Sequence, residues 1–165
     1  MQTPQRKPGK YTGVKPDPNL TPAKYRELQA KLEKLKKARP SAAAEVKRLA
    51  ADGDFSENHA YSMAKGRLRG LNQRISDIED HLKRAEIITA PKSNGTVVLG
   101  CLVTIETNGK QKTYRILGSS ETNPGGGVIS HNSPLGHALM GRRVGDTVLV
   151  CLKDKEVQYK IIKIE

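Results

Sequence analysis

The sequence predicts an α+β fold, in which an antiparallel coiled-coil hairpin of two α-helices, residues 21–90, precedes a small antiparallel-sheet domain with one short helix, residues 91–165. Apolar residues recur at alternating spacings of three and four in residues 25–49 and again in residues 61–85, as in coiled-coil helices. Beyond residue 102 the apolar period changes to two, which is typical of strands. Because only a short connection separates the helical stripes, the helices are expected to run antiparallel and to bury the stripes against each other.

The first helix is predicted to begin at Thr21-Pro22, where a capping residue is followed by proline at the first helical position. Its heptad positions are Tyr25, Leu28, Leu32, Leu35, Ala42, Val46 and Leu49, and Arg39 interrupts the apolar series. Pro40 removes a backbone donor in the middle of this pattern. Since the apolar residues stay in phase on both sides of Pro40, the sequence predicts a kink there and not the end of the helix.

The second helix carries an unbroken heptad series: Tyr61, Ala64, Leu68, Leu71, Ile75, Ile78, Leu82 and Ala85. Residues 90–95, which contain proline and glycine, are predicted to end this helix and to form the domain boundary. About 30 residues per helix at a rise of ~1.5 Å would make the hairpin an arm roughly 45 Å long.

The second half of the chain is predicted to form the sheet. Residues 103–107 and 112–117 are expected to pair as a hairpin, because Asn108-Gly109 between them favours a tight turn. Residues 121–127 are expected to form a loop. The remaining predicted elements are a short strand at Ile129-Ser130, a helix over residues 134–140 capped by Ser133, and a strand pair formed by residues 147–152 and 156–164.

Residues 1–20 contain four prolines, two glycines and four Lys or Arg residues, with almost no bulky apolar side chain. A segment of this composition buries too little apolar surface to offset its conformational entropy. The sequence therefore predicts a disordered basic extension over residues 1–20.

The charge and the apolar runs limit the class of protein. The formal net charge of +12 favours a polyanionic partner. No apolar run approaches the ~18 residues of a membrane span, and the N-terminus lacks an apolar signal region, so we expect a cytoplasmic protein without membrane association. Cys101 and Cys151 lie in apolar, strand-like contexts, which predicts that both thiols are reduced and buried.

Carboxylates cluster in the connection between the helices, at Asp52, Asp54 and Glu57. The spacing of Asp54 and Glu57 matches an acidic capping box at the start of the second helix. The same pair could bind Mg²⁺, which prefers oxygen ligands and commonly takes one or two protein carboxylates. The two roles are compatible, because one carboxylate oxygen can accept a backbone proton while another faces solvent. Two acids cannot complete an octahedral shell, so the active site of a partner would have to supply the other ligands.

The sequence shows no convincing nucleophile and base pair. His59, His81, His131 and His137 have no motif partner, and each is expected to have a surface or core role. The chain is therefore not predicted to be an enzyme by itself.

No acidic residue lies between Glu57 and Asp77, but four cations do: Lys65, Arg67, Arg69 and Arg74. One explanation is an ordinary solvated helix face. The other is a phosphate-binding track that leads away from the acidic tip, because the arginine fork matches phosphate geometry. The sequence leaves both explanations open.

The chain resembles the bacterial Gre transcript cleavage factors, GreA and GreB, over about residues 21–165. The matching motifs are Arg39-Pro40, residues 53–58 with Tyr61, Ile129-Ser130, Ser133-Pro134, Ala138-Leu139, Gly141 and Val144-Gly145-Asp146. Ser56-Glu57-Asn58 and Arg67-Leu68-Arg69 lean toward the B type, whereas the acids Asp77, Glu79 and Asp80 are more similar to the A type. Departures from the family pattern are Ala60, Phe55 and Asp52.

The resemblance implies a C-terminal domain of FKBP-like fold, without isomerase activity, that docks on the rim of the RNA polymerase secondary channel. Ser133, Pro134 and Asp146 match the docking region. The coiled coil would pass inward to the active site, where Asp54 and Glu57 help hold a Mg²⁺ ion shared with the polymerase. The polymerase would then cleave backtracked RNA by two-metal hydrolysis. Lys65, Arg67, Arg69 and Arg74 would contact the RNA.

The expected partners are RNA polymerase and the 3′ end of nascent RNA, with weak contact to DNA, and the protein is expected to be a monomer and a catalytic cofactor. An alternative is an inhibitor of the same shape, which would use its tip acids to sequester metal or block the channel. A second alternative is a structural nucleic-acid-binding protein driven by net charge, for which an acidic tip would be unnecessary.

Overall fold

The computed structural model describes residues 15–51, 59–89, 95–152 and 155–165. Its helices are α1 (Pro22–Ala51), α2 (His59–Lys83) and α3 (Pro134–Leu139). Its strands are β1 (Asn19–Leu20), β2 (Glu86–Ile87), β3 (Leu102–Thr107), β4 (Lys110–Leu117), β5 (Val128–Ser130), β6 (Thr147–Leu152) and β7 (Lys155–Ile164). Helices α1 and α2 pack against each other as an arm, and β3 to β7 with α3 form the globular domain, which confirms the α+β prediction.

Helix α1 begins as its sequence predicts. The Thr21 hydroxyl accepts a hydrogen bond from the Lys24 amide at 3.2 Å and caps the helix, and Pro22 occupies the first helical position. The helix then continues through Pro40 to Ala51, so the prediction that proline would not end it is confirmed.

The heptad series of both helices form the interface of the arm. At each predicted apolar position from residue 25 to residue 49, and from residue 61 to residue 82, the side chain is buried or half-buried, whereas Arg39 is exposed. Leu32, Ala64 and Ile75 are the buried apolar residues of this interface. The coiled-coil pattern therefore predicted the packing face of each helix correctly.

Helix α2 ends earlier than the sequence predicts. It ends at Lys83, and Ala85 is outside it, so the prediction that residues 90–95 end the helix is wrong. After Lys83 the chain becomes extended and β2 pairs in parallel with β1. The amide of Glu86 donates to the carbonyl of Pro18 at 2.7 Å. These tertiary hydrogen bonds replace the next helical turn, which local propensity alone would have allowed.

The prediction that all of residues 1–20 are disordered is also wrong, since residues 15–20 have a defined position. Leu20 is completely buried, and β1 lies between β2 and the globular domain. Composition missed this because a single buried leucine and one strand pair are enough to anchor a short segment that is otherwise polar. Residues 1–14 lie outside the described residues.

The sheet of the globular domain has the strand order β5-β4-β3-β7-β6. The predicted hairpin of β3 and β4 is present, and both of its turn residues, Asn108 and Gly109, have positive φ angles of 50° and 72°. The predicted pairing of the last two strands is present as well. The sheet is not wholly antiparallel, however, because β4 and β5 pair in parallel. The connection between them contains two short 3₁₀ turns and carries the chain back across the domain.

One face of the sheet forms the core with α3, and the core includes Val103, Ile105, Ile116, Leu139 and Ile161. Cys101 belongs to this core, as predicted, but Cys151 is exposed, which contradicts the expectation. The alternation along β6 explains the error, because Val148 and Val150 face the core and Cys151 therefore faces outward.

Among the described helices, none is long and apolar enough to cross a membrane.

Candidate functional site

The acidic pair that the sequence singles out, Asp54 and Glu57, lies outside the described residues. The described ends of the two helices are Ala51 and His59, so the pair belongs to the connection at the end of the arm. The capping-box and metal-ligand interpretations of this pair both remain predictions.

The four cations of α2 lie on two different flanks of the arm. Arg67 and Arg74 line a surface groove with Gly66 and Gly70. Lys65 and Arg69 line a second groove with Asn72 and other polar residues of α2. The structure thus brings the cations together in pairs and does not form a single track of four. The heptad spacing predicts this division, because Arg67 and Arg74 share a g position while Lys65 and Arg69 occupy e and b.

Two of the four cations, Arg67 and Lys65, are in contact with neighbouring side chains. The Arg67 guanidinium lies 3.5 Å from the Glu45 carboxylate of α1, and the pair is largely exposed. The Lys65 ammonium lies 5.8 Å from the centre of the Tyr61 ring. Within the described part of the chain, Arg69 and Arg74 have no ion-pair partner.

A second ion pair crosses the arm nearer the globular domain. The Lys36 ammonium lies 2.9 Å from a Glu79 carboxylate oxygen. The hydrogen bond and the attraction between them raise the pKa of Lys36 and lower the pKa of Glu79. Because both side chains are exposed, this pair is expected to add little to the stability of the arm.

The second predicted surface is the β5–α3 loop, residues 131–133, together with Pro134. The Ser133 hydroxyl donates to the Ser130 carbonyl at 2.7 Å and accepts from the Gly136 amide at 3.1 Å, so it fixes the loop and caps α3, as predicted. Pro134 is exposed beside it. Asp146, in a different turn, accepts a hydrogen bond from the Arg143 amide at 2.8 Å. Ser133 and Asp146 therefore each stabilise a local turn.

A third cluster, which sequence reasoning missed, lies at the base of the arm. Residues 17–21, here called the N-terminal strap, run from Asp17 to the cap of α1. The Asp17 side chain is only 4% exposed. Its Oδ2 atom accepts hydrogen bonds from the Ser119 amide at 2.8 Å and the Ser119 hydroxyl at 3.1 Å. The Asn132 side-chain amide donates to the same oxygen at 3.3 Å.

Two further groups surround the Asp17 residue. The His131 ring nitrogen Nδ1 lies 3.5 Å from Oδ2, and the buried His81 ring places Nε2 2.9 Å from the Asp17 carbonyl. Burial alone would raise the pKa of the Asp17 carboxyl, but hydrogen bonds from the Ser119 and Asn19 amides and the attraction of His131 outweigh it. The net result is a pKa below the ordinary value for aspartate.

The other end of the strap is held by Glu121. Its carboxylate accepts hydrogen bonds from the Thr21 amide and the Thr21 hydroxyl, both at 2.7 Å. Asp17 and Glu121 are separated from their partners by about a hundred positions in the sequence, and no local motif marks either residue. In the sequence, the only signal for Asp17 was an acidic residue shortly before the predicted helix cap at Thr21.

The described residues show no group of three or more His, Cys, Asp or Glu side chains that could hold a metal ion. Of the four histidines, His81 and His131 have the structural contacts given above, and His59 and His137 are exposed.

A coiled-coil arm of two helices followed by a small mixed-sheet domain defines the class of fold to which the chain belongs. The family model described as "Transcription elongation factor, N-terminal" matches residues 19–87, and that described as "Transcription elongation factor, GreA/GreB, C-term" matches residues 92–165. The chain belongs to the GreA/GreB family of transcription elongation factors, and the resemblance noted in its sequence is confirmed.

Two GreA proteins agree with this assignment. The chain is 39% identical over 143 residues to the transcription elongation factor GreA of Sphingopyxis alaskensis, covering 86% of this chain and 90% of that protein. It is 34% identical over 149 residues to GreA of Nitratiruptor sp., covering 88% and 91%. A crystal structure of the GreA factor homolog 1 (Gfh1) protein of Thermus thermophilus is 28% identical, with a TM-score of 0.40 over 88% of this chain and 97% of that one. The leaning toward the B type stays a prediction.

Proposed function

We propose that this elongation factor binds RNA polymerase, inserts its arm through the secondary channel and stimulates endonucleolytic cleavage of backtracked nascent RNA. The observation that carries the proposal is the combination of membership in the family with an arm whose end connection contains Asp54 and Glu57. Helix α1 alone has 30 residues, which corresponds to a reach of roughly 45 Å. The protein acts as a cofactor, and the polymerase performs the chemistry.

Asp54 and Glu57 are the residues that would hold Mg²⁺ jointly with the polymerase. Carboxylate oxygens are the donors that this ion prefers, and two of them leave most of an octahedral shell to the partner. The bound ion would supply charge stabilisation and activation of water in phosphodiester hydrolysis. The two carboxylates would bind and orient Mg²⁺ only together with ligands from the polymerase. The isolated protein therefore has no nuclease activity.

The globular domain docks on the polymerase through the β5–α3 loop and Pro134. Asp146, which directly precedes β6, also contributes to docking. The exposure of Pro134 beside a loop held by Ser133 supports this assignment, because a rigid exposed loop loses little entropy on binding. The cations of α2 contact the extruded RNA 3′ segment. The net charge of +12 supports weak additional contact with DNA. The protein works as a monomer in the cytoplasm.

The test is RNA cleavage by stalled, backtracked elongation complexes. Asp54→Asn and Glu57→Gln are each expected to reduce stimulated cleavage by at least about 10- to 100-fold, because each removes a metal-binding oxygen. Binding to the polymerase should be unchanged, since the arm interface and the docking loop are intact. Glu33→Gln, an exposed acid of α1, is the matched control and should cleave normally.

Full cleavage by both tip variants would refute the assignment of the acids. Inhibition without cleavage by the unmodified protein would instead favour the channel-blocking alternative. Tighter, salt-dependent binding to naked duplex than to polymerase would favour the structural nucleic-acid-binding protein.

A further inference from the structure

The N-terminal strap joins the arm to the globular domain. Among the described residues, every hydrogen bond between residues 15–89 and residues 95–165 involves Asp17 or Thr21. Two of their three partners, Ser119 and Glu121, belong to one 3₁₀ turn of the globular domain, and the third is Asn132. Two attachment points on one short turn hold the strap at both of its ends.

The strap determines the direction of the arm because its last residue is the cap of α1. Glu121 binds the amide and hydroxyl of Thr21, and the Thr21 hydroxyl in turn accepts from the Lys24 amide in the first helical turn. The arm is roughly 45 Å long, so a rotation of about 1° at the base moves the tip by roughly 0.8 Å. Misplacement of a catalytic group by ~1 Å can reduce a rate by about 100-fold.

The same carboxylate also contacts the loop that we assign to polymerase docking. Asp17 Oδ2 binds Asn132 of the β5–α3 loop directly. The Ser119 hydroxyl, which donates to Asp17, lies 2.8 Å from the Ser130 hydroxyl. Ser130 accepts from the Asn132 amide through its hydroxyl and from the Ser133 hydroxyl through its carbonyl. A continuous hydrogen-bond network therefore runs from the base of the arm to Ser133.

We propose that Asp17 is a positioning residue for transcript cleavage: its buried carboxylate sets the angle between the arm and the docking loop, and so places the arm tip when the loop is docked. The consequence for cleavage rests on the proposed function, whereas the effect on the angle belongs to the free protein. Without this network, two domains with a small shared interface are expected to move relative to each other.

The angle is measured by pulsed electron paramagnetic resonance between a spin label at Cys151 and one at Ala43→Cys in α1. Both positions are exposed, and Cys101 stays unlabelled because it is buried and burial raises the pKa of its thiol. We expect Asp17→Ala to widen the distance distribution about two-fold. Asp17→Asn, which keeps one acceptor oxygen, should give an intermediate width. Glu27→Ala, which removes an exposed acid paired with Lys24, should not change it.

Cleavage kinetics then separate positioning from docking. At saturating protein, Asp17→Ala is expected to lower the maximal cleavage rate about 10-fold, because the tip samples unproductive positions. The concentration that gives half-maximal cleavage should change much less, since the docking residues remain. Should Asp17→Ala fail to fold, as judged by circular dichroism, Ser119→Ala tests the same network by removing a single hydroxyl.

An unchanged distance distribution in the folded variants would overturn the proposal. So would a widened distribution with an unchanged maximal rate, because the strap would then hold the arm without affecting cleavage. If the unmodified protein stimulates no cleavage at all, the proposed function fails, and the distance measurement still decides whether Asp17 fixes the arm.

Discussion

Asp17 illustrates how one buried carboxylate can determine the geometry of a two-part molecule. Its side chain is 4% exposed, yet it is surrounded by donors and by the His131 ring, so its charged form is favoured and its pKa is lowered. A group whose pKa is lower in the folded than in the unfolded state stabilises the fold at pH values above its unfolded pKa. That stabilisation disappears as the pH falls through the folded pKa.

This linkage gives a prediction for acid stability. The prediction is made in a His131→Gln background, which removes the neighbouring ring. There the free energy of unfolding of the protein with Asp17 should exceed that of Asp17→Asn by a constant amount from pH 7 down to about pH 5, since the ordinary pKa of aspartate is ~3.9. Below about pH 4 the difference should shrink, and urea denaturation at successive pH values measures it. A difference that stays constant to pH 3 would contradict the role of the charge.

At the scale of elements, the strap packs so closely that one position of the globular domain excludes a side chain. A Cβ atom at Gly118 would overlap the carbonyl oxygen of Asn19 in β1. The backbone at Gly118 has φ of −67°, which any residue can adopt, so the close approach and not the conformation requires glycine. The glycines of α2 are different, because Gly66 and Gly70 have nothing within 4 Å of such an atom.

Two glycine-to-alanine changes should therefore act in opposite directions. Gly118→Ala is expected to destabilise the protein by about 1–3 kcal/mol, because β1 must move away from the domain. Gly70→Ala should stabilise it by about 0.5–1 kcal/mol, because alanine restricts the unfolded chain and suits a helix. Chemical denaturation of both variants provides the measurement. Equal effects of the two changes would show that β1 is free to shift.

The flanks of α2 provide a second prediction at this scale. Lys65→Glu with Arg69→Glu should impair cleavage of complexes with long extruded RNA more than of complexes with short extruded RNA. We expect Arg67→Glu with Arg74→Glu to have the smaller effect, because Arg67 is already engaged by Glu45. Cleavage rates on complexes backtracked by different distances measure both pairs. Equal losses for long and short RNA in both double variants would assign these cations to an ordinary solvated helix face.

At the scale of the whole molecule, two truncations separate the contribution of residues 1–14 to stability from that of residues 15–18. Deletion of residues 1–18 removes Asp17 and is expected to cost roughly 2 kcal/mol, the order of a charged hydrogen bond, and thus to lower Tm by roughly 4–8 °C. Deletion of residues 1–14 leaves the strap intact and should preserve Tm. Differential scanning calorimetry compares the two. Equal Tm values for both truncations would mean that the strap contributes no stability.

The sequence by itself determined the elements whose pattern repeats locally. The heptad residues of α1 and α2, the Asn108-Gly109 turn and the Ser133 cap were all predictable, because helix packing, turn conformation and capping depend on residues a few positions apart. The motifs also predicted the family correctly. The acidic pair Asp54 and Glu57 lies outside the described residues, so its role stays a prediction from the sequence.

Only the tertiary structure decided how the two halves meet. Three features depend on contacts between separate segments of the chain. They are the end of α2 at Lys83, the parallel pairing of β1 with β2 and of β4 with β5, and the binding of Ser119 and Glu121 to the strap. No local spacing records which distant donor an acid will meet. Asp17 could therefore be read as a solvated charge in a disordered extension, whereas burial against the globular domain makes it the anchor of the arm.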